Sequence, residues 1–177
     1  LFAAGLVNAG PIATGILAEP HQEDLVTRFS YAVLMTRVPL FLFQAVQAAL
    51  LPRLARLAAR GDMAEFRKGF RQLMIVVVAV GVLGVVGSGV LGPWIVELVY
   101  DAELTRNTMV ALAIGSACYM IALATAQAVI ALHGHALVAM GWTSAMVAFV
   151  VTTAYSSDEL FRRVEFGLVA GSAVAMV

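Results

Sequence analysis

The chain has 177 residues, 62% of them hydrophobic and 12% charged, with a formal net charge of zero and a mean hydropathy of +0.93. Soluble domains are roughly 45–50% apolar and about 25% charged, so this composition excludes a water-soluble globule, and the balanced charge gives no global pull toward nucleic acid. The apolar residues come in runs near the about 20 residues that a helix needs to cross a bilayer core of about 30 Å. They do not alternate as the strands of a membrane barrel must. The expected fold is therefore all-α: a polytopic transmembrane helical bundle of about six spans.

The first span covers about residues 1–18 and holds Asn8, three glycines and Pro11, which removes a backbone bond and bends the helix. A connector from Glu19 to Arg28 follows, with three acids and one base. The second span runs over about 29–51 and carries Arg37 and Pro39 near its middle, then Gln44 and Gln47.

Residues 52–71 form the only long polar segment between two long apolar ones. From Arg53 to Arg71 there are six positive and two negative side chains. Lys and Arg held on one side of a bilayer are the strongest orientation signal in a membrane sequence, so 53–71 is expected to face the cytoplasm. Leu51, Leu54 and Leu57 fall on one helical face and Arg53, Arg56 and Arg60 on another, an amphipathic extension at the membrane surface. Gly61 is expected to stop that helix. Asp62 and Glu65 resemble a capping pair for a second short helix marked by Phe66, Phe70 and Leu73.

The third span, about 72–91, is Val-rich, with glycines at near-turn spacing that permit close helix contact. A loop over 92–107 carries three acids and one base, and a fourth span over about 108–132 leads to a tight turn at His133-Gly134-His135. The fifth span covers about 136–155, residues 156–165 are polar, and a sixth begins near Phe166 and runs to 177, too short to span. With the basic connector inside, the first, third and fifth connectors fall outside, and Tyr31, Trp94, Tyr100 and Tyr155 lie near the outer face as an aromatic belt would. The start at Leu1, the short final run and the lack of a basic leader are expected for a piece of a longer polypeptide, cut at both ends.

Few residues suggest chemistry. Gly87-Ser88-Gly89-Val90-Leu91-Gly92 matches G-x-G-x-x-G, but it ends an apolar run instead of following a strand and opening a helix. His133 and His135 diverge at i and i+2 with no third ligand close in sequence, and Cys118 is a lone cysteine in an apolar run. No nucleotide, hydrolase or metalloprotease motif is present, so neither an enzyme, a cofactor nor a metal site is expected.

Arg37 is the sharpest residue. A guanidinium near a helix centre costs about 2.5–3.5 kcal/mol on insertion scales, so it faces a polar cavity or a partner, or else snorkels to the surface. Pro39 beside it favours the cavity, because broken helices near binding sites are a transporter device. Asn8, Gln44, Gln47 and Gln127 are further cavity candidates, each equally suited to an interhelical hydrogen bond. All eleven acids fall in connectors or at span ends, so the chain is expected to supply no intramembrane carboxylate for a proton or cation relay.

Three stretches carry a resemblance to a known family: Val7-Asn8-Ala9-Gly10-Pro11; Tyr31-Ala32 through Arg37 to Phe43-Gln44-Ala45-Val46-Gln47; and above all Leu50-Leu51-Pro52-Arg53-Leu54-Ala55. With Gly92-Pro93-Trp94-Ile95-Val96 to Tyr100, and Ala126-Gln127 to Gly134-His135, the chain resembles the C-terminal lobe of polysaccharide flippases. These are the O-antigen and lipid-linked oligosaccharide exporters of the MOP superfamily, which also holds lipid II flippases and multidrug extrusion proteins. The resemblance implies one lobe of a two-lobe transporter in a bacterial plasma membrane. Its partners would be the lipid bilayer, a lipid-linked oligosaccharide substrate and an N-terminal lobe outside this chain. Arg37 would line the central cavity and hold the substrate's pyrophosphate. Family members often carry an acid where Gly10 stands and a basic residue at the turn of His133 and His135. The alternatives are a drug or cation antiporter of the same architecture, and a non-transporting membrane fragment or assembly partner.

Overall fold

A computed structural model describes residues 2–18, 23–100, 105–156 and 159–176. Glu19, His21, Gln22, Asp101, Glu103 and Asp158 of the expected connectors lie outside the described residues. Every regular element among the described residues is an α-helix: α1 (Phe2–Leu17), α2 (Glu23–Thr36), α3 (Val38–Ala59), α4 (Met63–Val90), α5 (Gly92–Tyr100), α6 (Arg106–Ala131), α7 (His135–Tyr155) and α8 (Leu160–Val174). Four segments are long and apolar enough to cross a membrane: Val26–Gln44, Met63–Val90, Arg106–Ala131 and His135–Tyr155.

The helix α6 is the centre of the bundle and packs against α2, α3, α4, α5, α7 and α8. Its sequence explains this. Gly115, Ala122, Ala124 and Ala128 are buried and leave the backbone within reach of several neighbours. Glycines of α4 fit the same seam: a β-carbon at Gly81 would sit 3.1 Å from the Ala117 Cβ, and one at Gly89 would sit 3.0 Å from a Val110 methyl. As α4 advances from 81 to 89, α6 retreats from 117 to 110, so the two run antiparallel. Gly87 has open space beside it and takes no part. The outward face of α4 is apolar, with Val82, Leu83, Val86 and Val90 each more than half exposed, an arrangement suited to lipid and costly in water.

The polar hairpin between α3 and α4 is simpler than two short surface helices. Helix α3 runs through Pro52 to Ala59, and α4 begins at Met63 and continues without interruption to Val90. Nothing between Phe66 and Gly81 breaks it, because Gly69 alone costs a helix only about 1 kcal/mol. The expected stop and cap are both present. Gly61 has φ +71, the Gly61 and Asp62 amides donate to the Ala58 and Leu57 carbonyls, and the Asp62 carboxylate accepts from the Glu65 amide. Leu54 is buried against Gly69, while Arg53, Arg56 and Arg60 are exposed.

Residues 92–100 are helical where a loop was expected. Pro93 stands in the first turn, where its missing N–H leaves nothing unsatisfied. The Gly87–Gly92 stretch is the last turn of α4 running into α5, so it has no strand before it.

Candidate functional site

The second apolar run is divided at Arg37. Pro39 has no amide to offer the Met35 carbonyl, so the α-helical ladder lapses there. The Arg37 amide instead donates to the Leu34 carbonyl at 3.3 Å, a tighter turn, and Thr36 donates its hydroxyl to the Val33 carbonyl at 3.1 Å. Arg37 thus sits at the joint between α2 and α3, inside the Val26–Gln44 span.

A cavity opens at this joint. Arg37, Thr36, Val33 and Leu40 form one wall, Ser116, Tyr119, Leu112 and Gly115 of α6 another, and Leu6 of α1 with Leu168 and Ser172 of α8 the rest. Its volume is about 30 Å³, room for one or two water molecules. Tyr119 lies within electrostatic reach of the Arg37 guanidinium and packs its ring against Trp142 of α7, with centroids 5.6 Å apart. The polar groups meeting here are one guanidinium and four hydroxyls, an arrangement that favours an anion or a hydrogen-bonding head group over a cation.

Of the five residues singled out in the sequence, Arg37 lines this cavity. Asn8 and Gln44 are exposed on α1 and α3, Gln47 and Gln127 are half-buried on α3 and α6, and none of these four contributes to it. Ser116, Tyr119 and Ser172 were not singled out. A weak signal for the first two exists in the i, i+3, i+4 spacing of Leu112, Gly115, Ser116 and Tyr119 on α6. Among the described residues no group of His, Cys, Asp and Glu is placed to hold a metal, and Cys118 is half-buried on α6.

A second polar cluster lies at the other end of the same seam. Glu165, the last residue of the polar connector 156–165, is only 7% exposed, and its Oε1 has no hydrogen-bond partner among the described residues. The Thr108 hydroxyl of α6 is within hydrogen-bonding reach of the carboxyl. Burial pushes the Glu165 carboxyl above its usual range, opposed by Thr108 and Arg162 and reinforced by Glu159. Sequence position marks Glu165 only as an acid at the end of a connector; its burial arises because α8 packs against α6 there.

Two arginines fasten helix ends nearby. Arg163 donates to the Thr153 and Ala154 carbonyls of α7 at 2.9 and 3.3 Å, and Arg106 donates to the Gly89 carbonyl of α4. Both satisfy C-terminal carbonyls that a helix leaves open.

Comparison with protein-family models, with curated proteins and with solved structures gives no match.

Proposed function

We propose that this chain is one lobe of a membrane transporter that flips lipid-linked saccharides across a bacterial plasma membrane by alternating access, in the manner of the polysaccharide flippases it resembles. The reading adds α1 and the apolar run that begins at Phe166 within α8 to the four longer apolar segments, giving six spans with both chain ends and the basic hairpin in the cytoplasm. Exposed Trp94 and Tyr155 then fall at the outer surface, which suits amphipathic rings.

The observation that carries this reading is Arg37 at a broken helix, facing a cavity shared by α1, α2, α3, α6 and α8. A fixed guanidinium among hydroxyls suits the pyrophosphate of a lipid carrier, since charge-assisted bonds to phosphate oxygens are the strong ones. The cavity, about 30 Å³, is smaller than a pyrophosphate, so on this reading the helices around Arg37 must move apart to take up cargo.

The test is Arg37→Leu in the complete transporter, with export of lipid-linked saccharide measured in cells whose membrane content of the protein is shown to be normal. Export should be abolished while insertion persists, and Arg37→Lys should restore part of it. Unchanged export in Arg37→Leu would remove the substrate contact on which the reading stands.

A further inference from the structure

The Arg37 cavity and the Glu165 cluster are two ends of one seam. On α8, Glu165, Leu168 and Ser172 are spaced i, i+3, i+7 and share a face. On α6, Thr108, Leu112, Gly115 and Tyr119 do the same. Ser172, Leu168, Leu112, Gly115 and Tyr119 line the Arg37 cavity, whereas Glu165 and Thr108 close the seam about 10 Å from Ser172 and about 4.5 Å from Leu168 along α8, at 1.5 Å per residue. Between them Leu168 is the plug. A β-carbon at Gly115 would lie 3.7 Å from the Leu168 Cβ, and one at Gly10 of α1 would lie 2.9 Å from a Leu168 methyl.

A carboxyl group placed there has two states of different cost. Neutral, it is a compact polar group beside the Thr108 hydroxyl, and its bare oxygen costs less than a buried charge would. Ionised, it leaves a buried charge with one oxygen unsatisfied, a penalty relieved chiefly by letting water in. We propose that Glu165 is a proton-binding site on the α6–α8 seam, one turn beyond Leu168 from the Arg37 cavity, neutral while α6 and α8 are closed and ionised when water enters the seam. Loss of the proton then favours separation of α6 and α8 above Leu168, and binding of a proton favours closure.

The charged surroundings leave the assignment to Glu165 itself. Helix α1 carries no titratable side chain. From α6, Arg106 is committed to the Gly89 carbonyl, and from α7 the exposed Tyr155 stands at the helix end. On α8, Arg163 is turned to the α7 carbonyls, Arg162 favours the anion and pairs with Glu159 at 3.6 Å, and Glu159 disfavours it. Burial is the largest influence on the carboxyl and acts toward the protonated form. The proton site holds whatever the cargo, so its outcome and that of the saccharide reading are separate.

The experiment is infrared difference spectroscopy of the full chain in lipid vesicles, stepped in pH, following the carbonyl stretch of protonated carboxylic acid. Wild-type protein should keep such a band at pH values above the ordinary carboxylate range, where exposed carboxylates are ionised, and Glu165→Gln should remove it. Thr108→Val, which deletes the donor to the anion, should move the titration upward by about one pH unit. Identical spectra for wild type and Glu165→Gln throughout the pH series, or a Thr108→Val titration that does not move, would overturn the proposal. A Glu165→Gln protein that fails to fold leaves the Thr108→Val titration to decide.

Discussion

Gly84 of α4 lies directly against the ring of Pro39, so that a β-carbon at position 84 would come 2.6 Å from the Pro39 Cγ. The proline that breaks the helix beside Arg37 is thus itself seated in a notch made by the absence of a side chain one helix away. Neither residue explains the other from sequence, because 45 positions separate them.

The notch makes a first prediction. Gly84→Leu must push Pro39 and its joint away from α4, and overpacking of this kind costs about 1–3 kcal/mol. Thermal unfolding in detergent should show a lower midpoint, while Gly87→Leu, with open space beside it, should leave the midpoint unchanged.

A second prediction concerns two turns with one geometry. At the end of α3 the Gly61 and Asp62 amides donate to Ala58 and Leu57, and at the end of α6 the His133 and Gly134 amides donate to Ile130 and Val129. The left-handed position is glycine in one, φ +71, and histidine in the other, φ +66. A side chain at such a φ costs about 1–2 kcal/mol. Gly61→Ala should therefore destabilise by about 1 kcal/mol, and His133→Gly should stabilise by a similar amount. Denaturation midpoints of the two variants should move in opposite directions.

Arg163→Ala removes the two donations that close the end of α7. The loss should be about 1–2 kcal/mol for hydrogen bonds from a partly solvated cation, with faster amide exchange in the region where α7 and α8 meet. Arg163→Lys, which lacks the planar fork that spans both carbonyls, should recover only part of it.

The raised Glu165 carboxyl fixes the sign of a pH effect. At low pH the group is protonated folded and unfolded, and contributes nothing. As pH rises past the ordinary carboxylate range the unfolded chain releases its proton first, so the folded state binds more protons and stability declines until the folded carboxyl also ionises. Glu165→Gln should flatten that decline, which unfolding midpoints across a pH series would read out.

What was legible in the sequence was what depends on runs and on local chemistry. The apolar stretches that became α4, α6 and α7 are unambiguous because lipid demands length and apolarity together. Gly61 and Asp62 act within their own turn, and the positions of stop and cap follow. Pro39 beside Arg37 likewise announced a joint. What escaped notice depends on which helices meet. Ser116, Tyr119 and Ser172 are ordinary polar residues in apolar helices until α6 and α8 bring them to Arg37. Glu165 looks like one more connector acid until α6 closes over it, and residues 92–100 read as a loop because Gly92 and Pro93 open the segment. Asn8, Gln44, Gln47 and Gln127 do not line the small cavity inside this bundle; the cavity expected for them is one shared with a second lobe, and one amide in an apolar helix does not say which side it faces.

The uninterrupted α4 has one more implication. At 28 residues it measures about 42 Å, longer than a hydrocarbon layer of about 30 Å. Upright, it would leave its first two turns standing clear of the oil like the handle of a lever whose far arm bears on Ala117 and Val110. A spin label at Arg67 would then report, from water, any tilt of the buried arm, giving a gauge of rocking that leaves the interior untouched.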